Sequence, residues 1–304
     1  MSKPSLRLQF TKLLVFYHVL LWQLGHWPQS KLHCRADVAR LPEDEGIRYQ
    51  FHSLFSSSAN FLMSALRDFM SNTELRPEQI IEVTYCSDVV RTYGFVIECN
   101  CTNESGCRIT GIRMSYLGLT GTIHEKVGDL TSLTYLDLSR NQLNGSIPAS
   151  LGRLVSLEYL NLQFNMISDS IPEDFGNLSS LTIMELSENQ LSGPLPQSLG
   201  NLTTLTTFYV SANNLSGKFP ETYGNLTSLK KFSIAGNYIS GPLPVETIAK
   251  WTNITHLTLR NCSINGTIPK YIGENMTSLR YLDLSFNKLT GGLPQNMSSK
   301  MIYM

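Results

Sequence analysis

The chain has 304 residues, an apolar share of 42%, and 16% charged residues that balance to a formal net charge of zero. That length and apolar content suffice for a substantial core in one or two domains. The absence of a basic excess argues against an electrostatically driven nucleic-acid partner, and the absence of an acidic one leaves no reservoir for cations.

Taken in chain order, the first predicted element is a targeting segment. Lys3, Arg7 and Lys12 precede the apolar run Leu13 to Leu24, which is too short to cross a bilayer comfortably and has the basic flank of a secretory signal. Residues 1–36 are read as that signal, with Cys34-Arg35-Ala36 as the best cleavage site. An ordinary buried helix is the competing reading, since His18 interrupts the run and no small-x-small site follows. No other apolar run reaches 18 residues, so no membrane anchor is expected in the chain as given.

Residues 37–108 are expected to form an N-terminal segment and a disulfide cap. Within it Asn60, Phe61, Leu62, Ala65, Leu66, Phe69 and Met70 have helical spacing, with Ser57 or Ser58 as a cap. Cys86, Cys99, Cys101 and Cys107 cluster within 22 residues, and an even cluster in a secretory context reads as two disulfides with three possible pairings. Zinc is the competing reading, although Cys99-Asn100-Cys101 has a tighter spacing than zinc sites favour.

Residues 109–296 then repeat. Asn141, Asn165, Asn189, Asn213 and Asn237 lie 24 residues apart, each inside the frame LxxLxLxxNxLxGxIP. Two further units at 25-residue spacing put Cys262 and Asn287 in the asparagine place, and a degenerate first unit puts Leu117 there, which makes eight repeats. The pattern predicts an α/β-type leucine-rich-repeat solenoid, a right-handed superhelix of 24-residue units with a parallel concave β-sheet. In each LxL the two leucines share the inner side of a short strand and the residue between them faces outward. The recurring asparagines (Asn141, Asn165, Asn189, Asn213, Asn237, Asn287, with Cys262 as the exception) should form a ladder whose amides satisfy backbone groups of the turn leaving the strand. Cys262 reads as a structural thiol. Asp169 replaces the usual glycine of its unit, and slight local distortion is expected there. Residues 297–304 would begin a ninth repeat with no terminal cover, so a truncated longer chain is expected.

The concave face should present Arg113, Asp137, Asn161, Glu185, Tyr209, Ser233, Thr258 and Asp283, flanked by Tyr135, Tyr159, Ile183, Thr207, Lys231, His256 and Tyr281. Tyrosines on a rigid sheet offer contact area at low entropic cost. Tyr135, Asp137, Tyr159, Asn161, Glu185 and Tyr209 are therefore the candidate ligand-binding residues, for an extended peptide or another protein domain. Asp137 and Asp283 have a competing explanation, since LDLS is part of the repeat pattern itself. N-x-[ST] sequons stand at Asn100, Asn103, Asn144, Asn177, Asn201, Asn214, Asn225, Asn253, Asn265, Asn275 and Asn296, and less convincingly at Asn261 beside the ladder. Catalytic constellations are missing: His124-Glu125 lacks a second histidine, and there is neither a phosphate-binding glycine loop nor a kinase catalytic loop. The chain is read as a non-enzyme that needs no cofactor and no metal.

The frame NxLxGxIP at a 24-residue period resembles the repeats of plant receptor-like kinases, receptor-like proteins and polygalacturonase inhibitors. Leu41-Pro42-Glu43-Asp44-Glu45 and residues 257–294 are more narrowly similar to the ectodomains of plant leucine-rich-repeat receptor-like serine/threonine kinases that also carry a malectin-like domain. Residues 46–85 depart from that family, whereas Cys86 to Cys107 resemble its N-terminal cap. The resemblance implies an extracellular region that binds a peptide or protein ligand together with a co-receptor, displayed at the cell surface as part of a longer receptor or secreted as this chain. The malectin-like, membrane-spanning and kinase parts of such receptors are expected to be missing here, so membrane attachment would come only through them. The alternative is a stand-alone secreted inhibitor of cell-wall-degrading enzymes.

Overall fold

A computed structural model describes residues 90–92, 95–102, 106–274 and 276–293. The expected signal, the helix over 57–70, Cys86 with the pairing that depends on it, the sequons at Asn103, Asn275 and Asn296, and residues 297–304 all lie outside the described residues.

Ten strands make the first sheet. An antiparallel meander, Val90–Thr92, Phe95–Thr102 and Gly106–Met114, leads into seven three-residue strands: Tyr135–Asp137, Tyr159–Asn161, Ile183–Glu185, Thr207–Tyr209, Lys231–Ser233, His256–Thr258 and Tyr281–Asp283. From Gly106–Met114 onward each strand pairs in parallel with the corresponding strand of the next unit. The meander thus gives the first repeat backbone partners on the side where no earlier repeat exists, which a solenoid end needs.

The parallel pairing follows from the apolar pattern. Leu136, Leu160, Met184, Phe208, Phe232, Leu257 and Leu282 sit at the centres of successive strands and are at most 1% exposed. One such row cannot be buried by a single unit, so each repeat depends on its neighbours. On the opposite side of each coil the Pro of the IP element opens a short 3-10 helix: Pro148, Pro172, Pro196 and Pro220 are N-caps with φ between −61° and −70°. These helices turn Leu151, Phe175, Leu199 and Tyr223 into the core, each fully buried. A glycine follows each time because the coils touch there. A Cβ on Gly152, Gly176 or Gly200 would come within 2.4 to 2.6 Å of the backbone oxygen of Asp174, Ser198 or Thr222 in the next coil.

Between the two sides runs the amide ladder. Asn213 shows its full pattern: its Oδ1 accepts from Leu191 N (2.9 Å), and its Nδ2 donates to Leu186 O and Val210 O (both 3.1 Å). Asn141, Asn165, Asn189, Asn237 and Asn287 repeat this arrangement, each tying its own turn to the previous coil. Cys262 keeps only the donor half, with Sγ 3.5 Å from Ile234 O, because a thiol has no carbonyl to offer a backbone N–H. It is buried, and that burial raises its pKa. Asp169 takes the left-handed conformation of the glycines it replaces, φ 63° against 68° at Gly145 and 76° at Gly193. In its repeat the second sheet narrows to the single bridge Ser146↔Ser168, which separates a two-stranded piece from a five-stranded one.

Candidate functional site

The register of the first sheet sets the outward residues in two straight rows. Arg113, Asp137, Asn161, Glu185, Tyr209, Ser233, Thr258 and Asp283 align in one, and Gly111, Tyr135, Tyr159, Ile183, Thr207, Lys231, His256 and Tyr281 in the other. Parallel strands lie about 4.8 Å apart, so equal residues in neighbouring units meet face to face. Tyr135 and Tyr159 do so, with ring centres 4.2 Å apart and planes within 2°. The Arg113 guanidinium covers the other side of Tyr135 at 4.1 Å and pairs with Glu98 at 3.3 Å. The two tyrosines therefore form a stack supported from the N-terminal side, half-buried and fixed before any ligand arrives.

Polar partners hold the neighbouring residues. Asn161 Nδ2 donates to the Tyr159 hydroxyl at 3.1 Å while its Oδ1 accepts from Gln163 N, also at 3.1 Å. Asn161 is only 3% exposed, so against its expected place among the ligand contacts it is a positioning residue for Tyr159. The reason is local. An Asx side chain at this strand position reaches the backbone N–H two residues on, as Asp137 does to Ser139 N and Asp283 to Ser285 N, each at 3.0 Å. Part of the acidic character of the LDLS pattern is therefore spent on closing the turn. Asp137 and Glu185 remain half-exposed on the face. Glu185 Oε2 accepts from Gln163 Nε2 at 3.1 Å. Burial first, and the Asp137 charge second, raise the Glu185 pKa above the usual carboxylate value, against the opposing pull of Lys231 and Tyr159. Burial likewise raises the Tyr209 hydroxyl, with Glu185 adding to it, and pushes Tyr159 well above the usual phenol range. These tyrosines are neutral hydrogen-bonding groups at any physiological pH.

The structure thus brings Tyr135, Asp137, Tyr159, Glu185 and Tyr209 onto one continuous patch over four consecutive repeats. Two more residues complete the patch: Arg113, expected on this face but not as a ligand contact, and Gln163, which the repeat pattern does not single out. The 24-residue offset between Arg113 and Asp137 puts the arginine in the row, and it does not say that a guanidinium will lie on the ring of Tyr135. Among the described residues no group of three or more His, Cys, Asp or Glu side chains is arranged to hold a metal ion, and no helix is long and apolar enough to cross a membrane.

Comparison with known proteins places this geometry. Residues 96–290 match the leucine-rich repeat region family. A probable LRR receptor-like serine/threonine-protein kinase of Arabidopsis thaliana is 46% identical over 56 residues, which is 18% of this chain and 5% of the relative. The LRR ectodomain of the Arabidopsis receptor kinase HAESA, solved with an N-terminally extended IDA peptide hormone ligand, superposes with a TM-score of 0.58 at 34% identity, covering 61% of this chain and 31% of that one. The same receptor has also been solved with IDA and the co-receptor SERK1 (TM-score 0.54, 26% identity, 77% of this chain and 47% of that one). A plant ice-binding protein superposes with a TM-score of 0.65 at 25% identity, over 81% of this chain and 77% of its own, so the coil alone does not dictate a function. The chain spans about a third of the length of the HAESA ectodomain and a twentieth of the kinase relative. With a family match over most of its length and parallel repeats stacked through an amide ladder, the chain belongs to the leucine-rich repeat region family.

Proposed function

We propose that this chain is the ligand-recognising region of a plant LRR receptor-like serine/threonine kinase, of the subfamily that also carries a malectin-like domain. Its ligand is a peptide or protein segment laid across the first sheet at Tyr135 and Tyr159, and a co-receptor joins the complex. Transfer of the signal belongs to parts of the receptor outside these residues. The observation that carries the reading is the prebuilt tyrosine stack beside two half-exposed carboxylates on a rigid sheet, a surface with aromatic contact area and a preference for a basic group. Similarity to ectodomains solved with peptide hormones supports it. The twelve N-x-[ST] sequons and the basic-then-apolar N-terminus support a secretory route to the cell surface.

The test uses random twelve-residue peptides displayed on phage and selected on the whole chain. Peptides recovered on the wild type should bind the Tyr135→Ala/Tyr159→Ala double variant at least tenfold more weakly, since each ring removes roughly 1–2 kcal/mol of contact. Retained affinity would remove the sheet face as the site. A pH series sharpens the prediction. The raised pKa of Glu185 means that its negative form is lost while the pH is still above the usual glutamate value of 4.5. Affinity for a basic peptide should therefore begin to fall above that pH, and Glu185→Gln should flatten the profile.

A further inference from the structure

Where the first three repeats leave the sheet, three side chains stand outside the site described above. Tyr116, Arg140 and Phe164 occupy the same place in consecutive units, one residue before each ladder position. The backbone is left-handed at all three, with φ of 59°, 56° and 56°, a region that glycine enters freely and bulky residues resist. Gly236 fills the same place farther along at φ 68°, so the turn itself demands no large side chain. Nor does the core: Tyr116 is 71% exposed and Phe164 38%, and Arg140 is exposed between them. The three groups instead pack on one another. The Arg140 guanidinium lies 4.1 Å from the centre of the Phe164 ring and 5.0 Å from that of Tyr116.

Two other arginines among the described residues lie over aromatic rings, and each also faces a carboxylate. Arg113, over Tyr135, meets Glu98 at 3.3 Å, and Arg260, over Phe286, meets Asp283 at 3.9 Å. Arg140 has two rings and no acidic partner among the described residues. Glu188, the acidic residue of the same row, stands one unit beyond Phe164. A guanidinium clamped between rings has already lost most of its rotamer freedom and keeps its in-plane N–H donors pointed to solvent. That fork matches a carboxylate in two-point geometry.

We propose that the Tyr116–Arg140–Phe164 stack binds a carboxylate delivered by the partner, an acidic side chain of the same peptide or protein segment that lies on the Tyr135–Tyr159 face. The inference rests on that reading for the identity of the partner. Continuity favours it, because the stack caps the strands that carry Tyr135 and Tyr159. The ligand class is then a segment with a basic or aromatic part for the sheet and an aspartate or glutamate for the rim.

The peptides selected above are the probe, with trigalacturonate as a second arm that supplies the same carboxylate from a cell-wall sugar. Arg140→Gln should weaken the selected peptides about tenfold, the loss of a charged two-point hydrogen bond. Arg140→Lys should lose nearly as much, since an ammonium neither stacks nor forks. Changing the peptide's own glutamate to glutamine should cost the same factor on the wild type and nothing further on Arg140→Gln. Equal binding by wild type and Arg140→Gln, or independent losses in that cycle, overturns the proposal. Trigalacturonate bound through Arg140 while peptides bind without it overturns it as well. Loss on Arg140→Gln with indifference to Tyr135→Ala/Tyr159→Ala sinks the sheet-face reading and leaves the rim standing, and the reverse pattern sinks the rim alone.

Discussion

The coil between Asn213 and Asn237 and the coil that follows it, ending at Cys262, differ by one residue, 24 against 25. In the first, Tyr223 N bonds to Pro220 O, three residues back, and the outer segment is a 3-10 helix. In the second, Ile248 N bonds to Pro244 O, four residues back, and the outer segment Val245–Ala249 is α-helical. The extra residue is absorbed as the difference between an i−3 and an i−4 hydrogen bond, which adds one residue to the turn. The strands before and after keep their register, Lys231 opposite His256 as Thr207 is opposite Lys231. The core pays in size: Trp251 stands where Leu226 stood, packs on Phe219 and Phe232, and donates from Nε1 to Tyr223 O at 2.9 Å. Length variation is therefore tolerated on the helical side and refused on the sheet side, which is also the side that carries the candidate ligand contacts.

The sheet side owes that rigidity to the ladder, so the largest effect is expected from breaking it. Asn213→Ala leaves Leu191 N without its amide partner in a site that is 5% exposed, and takes one of two amide donors from each of Leu186 O and Val210 O, which keep Asn189 Nδ2 and Asn237 Nδ2. One unsatisfied buried donor costs roughly 1–3 kcal/mol and each of the two lost carbonyl bonds roughly 0.5–1.5, so a loss of about 3 kcal/mol is expected in urea unfolding followed by circular dichroism. A change below about 1 kcal/mol would mean that water replaces the amide and that the ladder is not what locks the strands. Next in size comes the helical side. Gly176→Ala drives a methyl to 2.6 Å from Ser198 O, whereas Gly224→Ala meets only the Lys250 side chain, at 2.9 Å. The first should cost about 2 kcal/mol and the second about 0.5, because a flexible chain end moves aside and a backbone oxygen does not. Equal costs would mean that the 25-residue coil packs on Gly224 as tightly as the 24-residue coils pack on their glycines.

Much of this was legible beforehand, for reasons that can be named. A fixed offset between equal residues is enough to identify Asn141 through Asn237 as a row, and the same offset puts Tyr135 beside Tyr159 without any knowledge of angles. The site of the inserted residue was not legible, since a 25-residue spacing says only that something lengthens between Asn237 and Cys262. Nor was the role of Asn161. Whether an outward Asx side chain faces solvent or bends to Gln163 N depends on turn geometry that the repeat pattern does not encode. The stack at Arg140 was hidden for a third reason: the left-handed turn before each ladder residue accepts Tyr, Arg, Phe, Glu, Ala and Gly alike, so residue type there carries no periodic mark.

A smaller effect than the loss of a ladder amide is expected where the longer coil meets the ladder. At Leu215 N and at Ile264 N an amide oxygen arrives from the next coil, 3.0 and 3.2 Å away. The equivalent group between them is Ile239 N, and the residue in the ladder place of the next coil is Cys262, which has no oxygen to offer. Cys262→Asn should supply that acceptor and two further donors in a site that is 7% exposed, raising stability by about 1 kcal/mol, visible as a higher midpoint in the same urea titration. Cys262→Ala serves as the comparison and should be destabilising, since it removes the thiol's packing and its contact with Ile234 O. If Cys262→Asn were instead destabilised as much as Cys262→Ala, the α-helical turn upstream would have displaced this coil too far for an amide to bridge. The insertion would then reach the sheet side after all, and the two sides of the solenoid would not be independent.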